Sequence, residues 1–148
     1  MPKTTPRNII EKIWDKHVVL QKPNHPAVFG IDLHVMHEVT TPQGFTKLHE
    51  KGLKVKQPHR SVASEEHSTP TRKDRFNIID EGARTQIEYL RQNVREFGIP
   101  FFGFDSGNQG IVHVFAPELG LIQPGMTVVC GDSHTATNGA FGAMGFGI

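Results

Sequence analysis

Helical segments alternate with short apolar segments along the chain, and this alternation constrains the fold more than any other feature. The clearest helix covers residues 78–97, where apolar side chains recur every three or four positions, and Gly98 follows where a helix C-cap is expected. Residues 99–104 and 126–130 are short apolar runs of the kind found in buried strands. The pattern predicts an α/β fold built on a mainly parallel sheet.

The first part of the chain continues this alternation. Residues 5–16 have an apolar stripe at helical spacing, and residues 17–20 and 28–36 are predicted strands. A further short helix is expected between Thr41 and Gly52. Pro42 suits the first turn of a helix, and glycine is common where a helix ends.

Residues 51–75 differ from the rest of the chain because they are polar, basic and interrupted by prolines. The sequence predicts a solvated loop here. A surface that attracts an anionic substrate is the alternative, since clustered positive charge raises the local concentration of anions. The cations are Lys51, Lys54, Lys56, Arg60, Arg72, Lys73 and Arg75.

Length and charge limit the class of protein. The chain has 148 residues, and 16 Lys and Arg against 15 Asp and Glu give a formal net charge of +1. Nucleic acid and anionic membranes both select basic surfaces, so neither is expected as a partner. Residues 1–10 lack the apolar segment of a secretory signal, and a single cysteine suits a reducing compartment. We expect a cytoplasmic globular protein.

Residues 140–148 contain no polar side chain. Chain termini are usually solvated, so this segment is expected to belong to a core and the chain to be the front part of a longer protein. A buried terminal strand or helix is the alternative.

The densest group of reactive side chains follows the predicted strand at residues 126–130. Asp132, Ser133 and His134 are consecutive there. Ligands of α/β sheets bind beyond the carboxyl ends of strands, so these residues are predicted to lie in a functional site. A helix cap with an incidental histidine is the alternative.

Two other kinds of site are alternatives to this one. Gly131, Asp132 and Ser133 match the start of a GDSL-type serine hydrolase, with Ser133 as the nucleophile, although His134 stands where that class has leucine. A zinc site is the second, because His34 and His37 are three residues apart and Glu38 is adjacent to His37.

Four blocks of sequence together resemble the aconitase superfamily and, within it, the large subunits of 3-isopropylmalate dehydratases. The blocks are EKIWDKHVV, DLHVMHEVTTPQGF, GIVHVFAPELGLIQPGMTVVCGDSHT and GDSHTATNGAFGAMGFGI. The similarity extends from residue 11 to the last residue. It implies that residues 1–148 form the N-terminal part of an aconitase-type α/β/α catalytic domain with a mainly parallel sheet.

The resemblance also implies substrate-binding residues. Asp132, Ser133 and His134 match the family's Asp-Ser-His segment, which lines the active site and hydrogen-bonds the substrate. His113 matches a histidine of related role, and His37 stands where aconitases proper have an active-site glutamine.

Glu66 and His67 match the family's Asp-His pair, which implies that His67 protonates the departing hydroxyl and Glu66 orients it. The family pattern is usually Asp-His-Asn-x-Pro-Thr, and this chain has glutamate and Ser68 at the first and third positions. A glutamate moves the carboxylate by about 1.5 Å relative to aspartate, and a shift of this size changes how the acid is aligned.

Family members hold a [4Fe–4S] cluster through three cysteine thiolates that come later in the chain. This chain has only Cys130, which lies in the strand before the Asp-Ser-His segment and is expected to be a buried apolar residue. No metal ligands are therefore predicted, and the chain alone is expected to bind no cluster.

The resemblance implies a hydro-lyase of leucine biosynthesis that interconverts 2-isopropylmalate and 3-isopropylmalate by dehydration and rehydration. It also implies a small-subunit partner in a heterodimer. The alternatives are a homoaconitase- or aconitase-type large subunit with a related substrate, and a truncated fragment without activity.

Overall fold

The computed structural model describes residues 5–148. Four of the ten N-terminal residues considered for a secretory signal, residues 1–4, lie outside this range. The described residues form seven strands and four α-helices: β1 (Val18–Leu20), β2 (Val28–Phe29), β3 (Leu33–Met36), β4 (Ser61–Ser64), β5 (Phe101–Phe102), β6 (Thr127–Cys130), β7 (Met144–Gly147), α1 (Ile9–His17), α2 (Pro42–Glu50), α3 (Glu81–Phe97) and α4 (Val112–Glu118). Two 3₁₀-helices cover Pro58–Arg60 and Thr135–Phe141.

Five of the strands form one sheet in the order β5-β4-β3-β6-β7, and every neighbouring pair is parallel. His34, in the central strand β3, pairs with Ser61 of β4 on one side and with Val129 of β6 on the other. β1 and β2 form a separate antiparallel pair. The predicted α/β fold with a parallel sheet is therefore confirmed.

Helices cover both faces of the sheet. On one face, Phe45 of α2 and Leu90 of α3 pack with Met36 of β3. On the other face, Phe115 of α4 packs in a cluster with Val128 of β6 and with other strand residues. The result is a three-layer α/β/α arrangement, as the resemblance implied. Among residues 5–148, no helix is both long and apolar enough to cross a bilayer.

Capping residues set the helix ends more closely than the apolar periodicity does. α3 begins at Glu81 because the Asp80 side chain accepts a hydrogen bond from the Ala83 N–H at 2.7 Å, and Gly98 ends it in the left-handed region at φ 66°. α1 begins at Ile9, after an Asn8 cap, rather than at residue 5. Both helices were predicted to begin three or four residues earlier. Thr5 and Pro6 resemble the start of a helix before α1, and the apolar pattern continues before the Asp80 cap of α3.

The prediction of a solvated loop over residues 51–75 is wrong for residues 61–64, which form β4, whereas most residues of 51–60 and 71–75 are exposed. All four residues of β4 are buried. The strand has only two apolar side chains, and its polar Ser64 donates a hydrogen bond to the Phe102 carbonyl of β5 at 2.9 Å. β4 lies between β3 and β5, and its small side chains are buried by these neighbours even though only two of them are apolar. The apolar pattern of the sequence therefore did not predict this strand.

The apolar segment 140–148 contains the end of the 3₁₀-helix Thr135–Phe141 and then β7, the strand at one edge of the sheet. β7 pairs with β6 over its whole length, which explains its extended backbone. Its large side chains are less covered than predicted: Phe146 is 36% exposed and Ile148 is 72% exposed. The expectation that this segment lies in a core is therefore wrong for these two side chains.

An ion pair between a buried glutamate and a partly exposed arginine connects the end of β4 to α3. Glu65 directly follows β4 and is 0% exposed, and its carboxylate accepts hydrogen bonds from Arg91 Nε and Nη2 at 2.7 and 2.8 Å. The Phe104 N–H donates to the same carboxylate at 2.7 Å. Glu65 is thereby held by a side chain and by the main chain of two other segments.

Arg91→Ala is expected to lower the free energy of unfolding by about 3 kcal/mol, because it leaves the buried Glu65 carboxylate without its cation. Chemical denaturation measures the change. Arg95→Ala, at an exposed position one turn along the same helix, is the matched control and should change stability by no more than about 0.5 kcal/mol. Equal losses in the two variants would show that the ion pair contributes nothing.

Candidate active site

The candidate site lies at the carboxyl edge of the sheet, where β3 is flanked by β4 and β6. His37 follows β3, Glu66 and His67 follow β4, and Asp132 follows β6. The chain runs outward from β3 in both directions, and such a switch point is where α/β sheets bind ligands. A cavity of about 630 Å³ opens here, and its polar lining consists of Glu66, His67, His113, Asp132, Ser133, His134 and Thr137.

Asp132 is the central carboxylate of this site. Its Oδ1 lies 3.0 Å from His134 Nδ1 and 3.4 Å from His113 Nε2, and its Oδ2 lies 3.1 Å from His67 Nε2. The side chain is 7% exposed. Three imidazoles from three different segments therefore surround one buried carboxylate.

The surroundings keep Asp132 ionised. Burial raises the pKa of Asp132, but hydrogen bonds from the main-chain N–H and the ring of His134 lower it, and so do the charges of His113 and His134. The net effect is a pKa of Asp132 below its ordinary value. A fixed negative charge at this position favours positive charge on the neighbouring imidazoles.

His67 has a carboxylate oxygen at each ring nitrogen. Its Nδ1 hydrogen-bonds Glu66 Oε1 at 2.7 Å, and its Nε2 faces Asp132. An imidazolium carries a proton on both nitrogens, so each carboxylate can accept from a protonated His67. The His67 side chain is 37% exposed in the cavity wall, whereas the Glu66 side chain is 7% exposed and burial raises the pKa of Glu66.

His37 supports the ring of His67 from behind. The two rings are stacked with centroids 4.0 Å apart and planes 17° apart, and His37 is 0% exposed. Burial, with a contribution from the His67 charge, lowers the pKa of His37 to about 4, so this ring is neutral at pH 7. The Val39 N–H donates to Nδ1, which leaves Nε2 as the protonated nitrogen that faces Thr40 Oγ1 at 3.2 Å.

His113, in the first turn of α4, brings a buried polar atom to the cavity. Asn138 Nδ2 lies 3.4 Å from His113 Nδ1 as donor, so the proton of the neutral ring lies on Nε2. Nε2 is buried and has no hydrogen-bond partner among residues 5–148. Burial also lowers the pKa of His113. This N–H faces Asp132 Oδ1 at 3.4 Å without forming a hydrogen bond of good geometry, so it remains available to an oxygen atom of a bound ligand.

Ser133 and His134 are exposed and do not form a hydrolase triad. Ser133 Oγ lies 3.3 Å from His134 Nδ1, and Asp132 Oδ1 contacts the same nitrogen at 3.0 Å. A serine nucleophile and its orienting carboxylate must use different nitrogens of the histidine. The geometry therefore does not support the serine-hydrolase alternative.

The zinc site considered as an alternative, from His34, His37 and Glu38, is not supported by the structure. His34 lines a different cavity with Met36, whereas His37 stacks on His67, because residues three apart in extended chain point to opposite faces. His37, His67 and Asp132 do bring one ligand-type atom each within 4.8 Å of one another. Each of these side chains already has polar protein partners, so a bound ion is not needed to explain the cluster.

The cysteine content does not fit the cluster of the family. A [4Fe–4S] cluster of this type needs three thiolates, and the chain has one cysteine. Cys130 is fully buried in β6, and burial raises the pKa of its thiol to about 11, so it stays protonated at neutral pH. The residues of this chain do not provide the ligands of the cluster.

Anaerobic reconstitution of the 148-residue chain with iron and sulfide is expected to give no stoichiometric cluster. Iron content and the thiolate-to-iron charge-transfer absorption measure the outcome. Cys130→Ser should bind as little iron as the unchanged chain, because the buried thiol takes no part. One cluster per chain, lost in Cys130→Ser, would contradict this expectation.

Of the polar residues at the sheet edge, His37, His113 and Asp132 lie in the four sequence blocks, and Glu66 and His67 lie between two of the blocks. The family profile of the aconitase family (aconitate hydratase) matches residues 11–148. The chain is 54% identical over 148 residues to a 3-isopropylmalate dehydratase large subunit of Roseiflexus castenholzii, 51% over 148 residues to that of Anaeromyxobacter dehalogenans and 57% over 143 residues to that of Solibacter usitatus. Each match covers 97% of this chain and 31% of the relative. The resemblance seen in the sequence is confirmed, and the chain belongs to the aconitase family.

Proposed function

We propose that this chain is the N-terminal part of the catalytic domain of a hydro-lyase large subunit that interconverts 2-isopropylmalate and 3-isopropylmalate. The observation that carries the proposal is the buried Asp132 carboxylate surrounded by His67, His113 and His134 at the edge of a cavity. The names of the three relatives support the same reaction and the presence of a small-subunit partner.

His67 is the proton donor in this proposal. Its Nδ1 is held by the buried Glu66 at 2.7 Å, whereas its Nε2 lies 3.1 Å from Asp132 at the cavity, so Nε2 is the atom that transfers a proton to the departing hydroxyl. The same nitrogen takes the proton back when water adds in the reverse direction. The proton on the neighbouring carbon is taken by a base that the rest of the assembly supplies. Glu66 fixes the ring orientation, and Asp132 stabilises the imidazolium before the proton leaves.

His113, Ser133 and His134 bind the carboxylates of the substrate. The first contributes a buried N–H, and the other two are exposed donors on the same cavity. Hydrogen bonds from these three donors to the substrate carboxylates offset the repulsion between Asp132 and an anionic substrate.

Two apolar side chains favour a branched alkyl substituent over the carboxymethyl group of citrate-type acids. Ile111 is 57% exposed and Val114 is 47% exposed, and both line the cavity that contains His67. A charged group next to these side chains loses hydration without gaining a partner. Homoaconitase- and aconitase-type substrates are therefore the second candidates.

The reaction belongs to an assembly larger than this chain. The cluster that relatives of this family carry needs thiolates from outside these 148 residues, and the small subunit is expected to complete the substrate pocket. By itself the chain is expected to bind no cluster and to be inactive.

A direct assay tests the proposed function. A full-length large subunit that begins with this sequence is combined with its small subunit and incubated with 2-isopropylmalate, and NMR follows the formation of 3-isopropylmalate. Citrate and homocitrate are assayed in parallel. Turnover of isopropylmalate with the highest kcat/KM supports the proposal, and preference for either of the other acids would replace it with the second candidates.

Glu66→Asp is expected to lower kcat of this assembly by about 10- to 100-fold, because the shorter side chain withdraws its carboxylate by about 1.5 Å from His67 Nδ1. In the loop as it stands, the glutamate reaches His67 Nδ1 at 2.7 Å. Glu88→Asp, on an exposed position of α3, is the control and should leave kcat unchanged. A raised kcat in Glu66→Asp would mean that glutamate is misaligned in the native protein.

A further inference from the structure

Glu38 is a buried carboxylate to which the proposed reaction gives no part. It follows His37 at the end of β3 and is 0% exposed. Its Oε2 accepts a hydrogen bond from the Glu66 N–H at 3.0 Å, and its Oε1 accepts one from the Ser68 N–H. Within residues 5–148, no lysine, arginine or histidine forms an ion pair with it. Main-chain N–H groups are therefore the partners of this charge.

The two hydrogen bonds reach the residues on either side of His67. Glu66 and Ser68 are both held by one carboxylate, so the main chain of His67 is fixed at both ends. Thr69 Oγ1 donates to the Glu66 carbonyl at 2.9 Å and closes the turn. The segment that carries His67 is thus tied to the end of β3, the neighbouring strand.

The residues at the end of β3 act on two parts of the same histidine. His37 packs against the His67 ring, and the next residue, Glu38, holds the His67 main chain. Because the ring and the main chain of His67 are both constrained, the orientation of its Nε2 toward Asp132 depends on the two residues after β3 as well as on the loop that contains His67.

We propose that Glu38 is a positioning residue that holds the main chain on both sides of His67, so that the ring lies between Glu66 and Asp132. Its effect on turnover rests on the proposed function, whereas its effect on the loop does not.

The chemistry of the site requires a carboxylate at this position. Two N–H donors point at the side chain of Glu38, and a carboxylate offers an acceptor oxygen to each. A glutamine of the same size offers one oxygen, and its NH₂ group would face the second N–H, donor against donor. Glu38→Gln therefore removes one hydrogen bond with little change in volume.

Amide hydrogen exchange of the 148-residue chain tests the effect on the loop. In Glu38→Gln, exchange of the Glu66 or Ser68 amide should accelerate by about 10- to 100-fold, as expected for a lost hydrogen bond to a charged group. The matched control is Asp32→Asn: Asp32 lies just before β3, and its carboxylate accepts from the Thr127 N–H at 3.0 Å. In the control, the Glu66 and Ser68 amides should exchange as in the unchanged chain.

Kinetics of the assembled enzyme separate positioning from general stability. Glu38→Gln should lower kcat by about 10- to 100-fold with KM within about twofold, since a displacement near 1 Å of an acid has this effect. Asp32→Asn should leave kcat unchanged even where it lowers the melting temperature. Unchanged loop exchange in Glu38→Gln, or faster exchange with unchanged kcat, overturns the proposal.

Loss of amide protection in β6 would show that Glu38→Gln does not fold, and a second variant is used in that case. Glu38→Asp keeps the charge but withdraws it by about 1.5 Å, so the same faster loop exchange and lower kcat are expected. Native loop exchange in Glu38→Asp would overturn the proposal. If the unchanged enzyme turns over none of the three acids, the proposed function fails, and the exchange measurements still decide the effect of Glu38 on the loop.

Discussion

Replacing His67 with alanine is expected to lower kcat of the assembled enzyme by about 100- to 10,000-fold, the usual effect of losing one general acid. His67 is the imidazole that combines a carboxylate oxygen at each ring nitrogen with an exposed position on the cavity. Its side chain is 37% exposed, so its removal leaves no closed void in the core. Steady-state kinetics with 2-isopropylmalate measure the effect.

The control for this variant is His59→Ala, which removes an exposed histidine from the 3₁₀-helix Pro58–Arg60 before β4. It should leave kcat within about twofold of the unchanged enzyme. If His67→Ala keeps its full kcat, another group is the acid, even though the chain belongs to the aconitase family. His113 would then be the next candidate, because its Nε2 is buried beside the cavity.

The position of the site could be predicted from sequence because parallel strands end at a common edge. An apolar strand followed at once by Asp132 indicates a ligand site, and the structure places this residue at the carboxyl end of β6. The resemblance added His37, His67 and His113, and all three meet around Asp132 or behind it. The chemical roles of these residues remain predictions.

The residues that hold the site together could not be predicted in the same way. The Glu38 carboxylate accepts a hydrogen bond from the main-chain N–H of Glu66, 28 residues away. The Glu65 carboxylate accepts one from the N–H of Phe104, 39 residues away. A hydrogen bond between a side chain and a distant main chain leaves no periodic pattern. β4 was missed for a related reason, because its burial comes from its place between β3 and β5 rather than from hydrophobic side chains.

Gly145→Ala is expected to lower the free energy of unfolding by about 3 kcal/mol, which for a chain of this length corresponds to about 6–12 °C in melting temperature. Gly145 lies in β7 opposite Val128 of β6. A Cβ at this position would collide with the Thr135 carbonyl oxygen and lie 3.1 Å from its carbonyl carbon. These are main-chain atoms, so a rotamer change cannot relieve the clash.

Thermal denaturation of Gly145→Ala beside Gly139→Ala tests this expectation, because the two glycines differ in what surrounds them. Gly139 lies in the 3₁₀-helix Thr135–Phe141, and a Cβ there would meet no atom within 4 Å. The melting temperature of Gly139→Ala should therefore differ from that of the unchanged chain by no more than about 2 °C. The clash at Gly145 also pushes on Thr135, whose hydroxyl donates to the Asp132 carbonyl at 2.6 Å. Gly145→Ala is therefore expected to lower kcat even at temperatures where the protein remains folded. A melting temperature equal to that of Gly139→Ala would mean that β7 and the 3₁₀-helix separate at little cost.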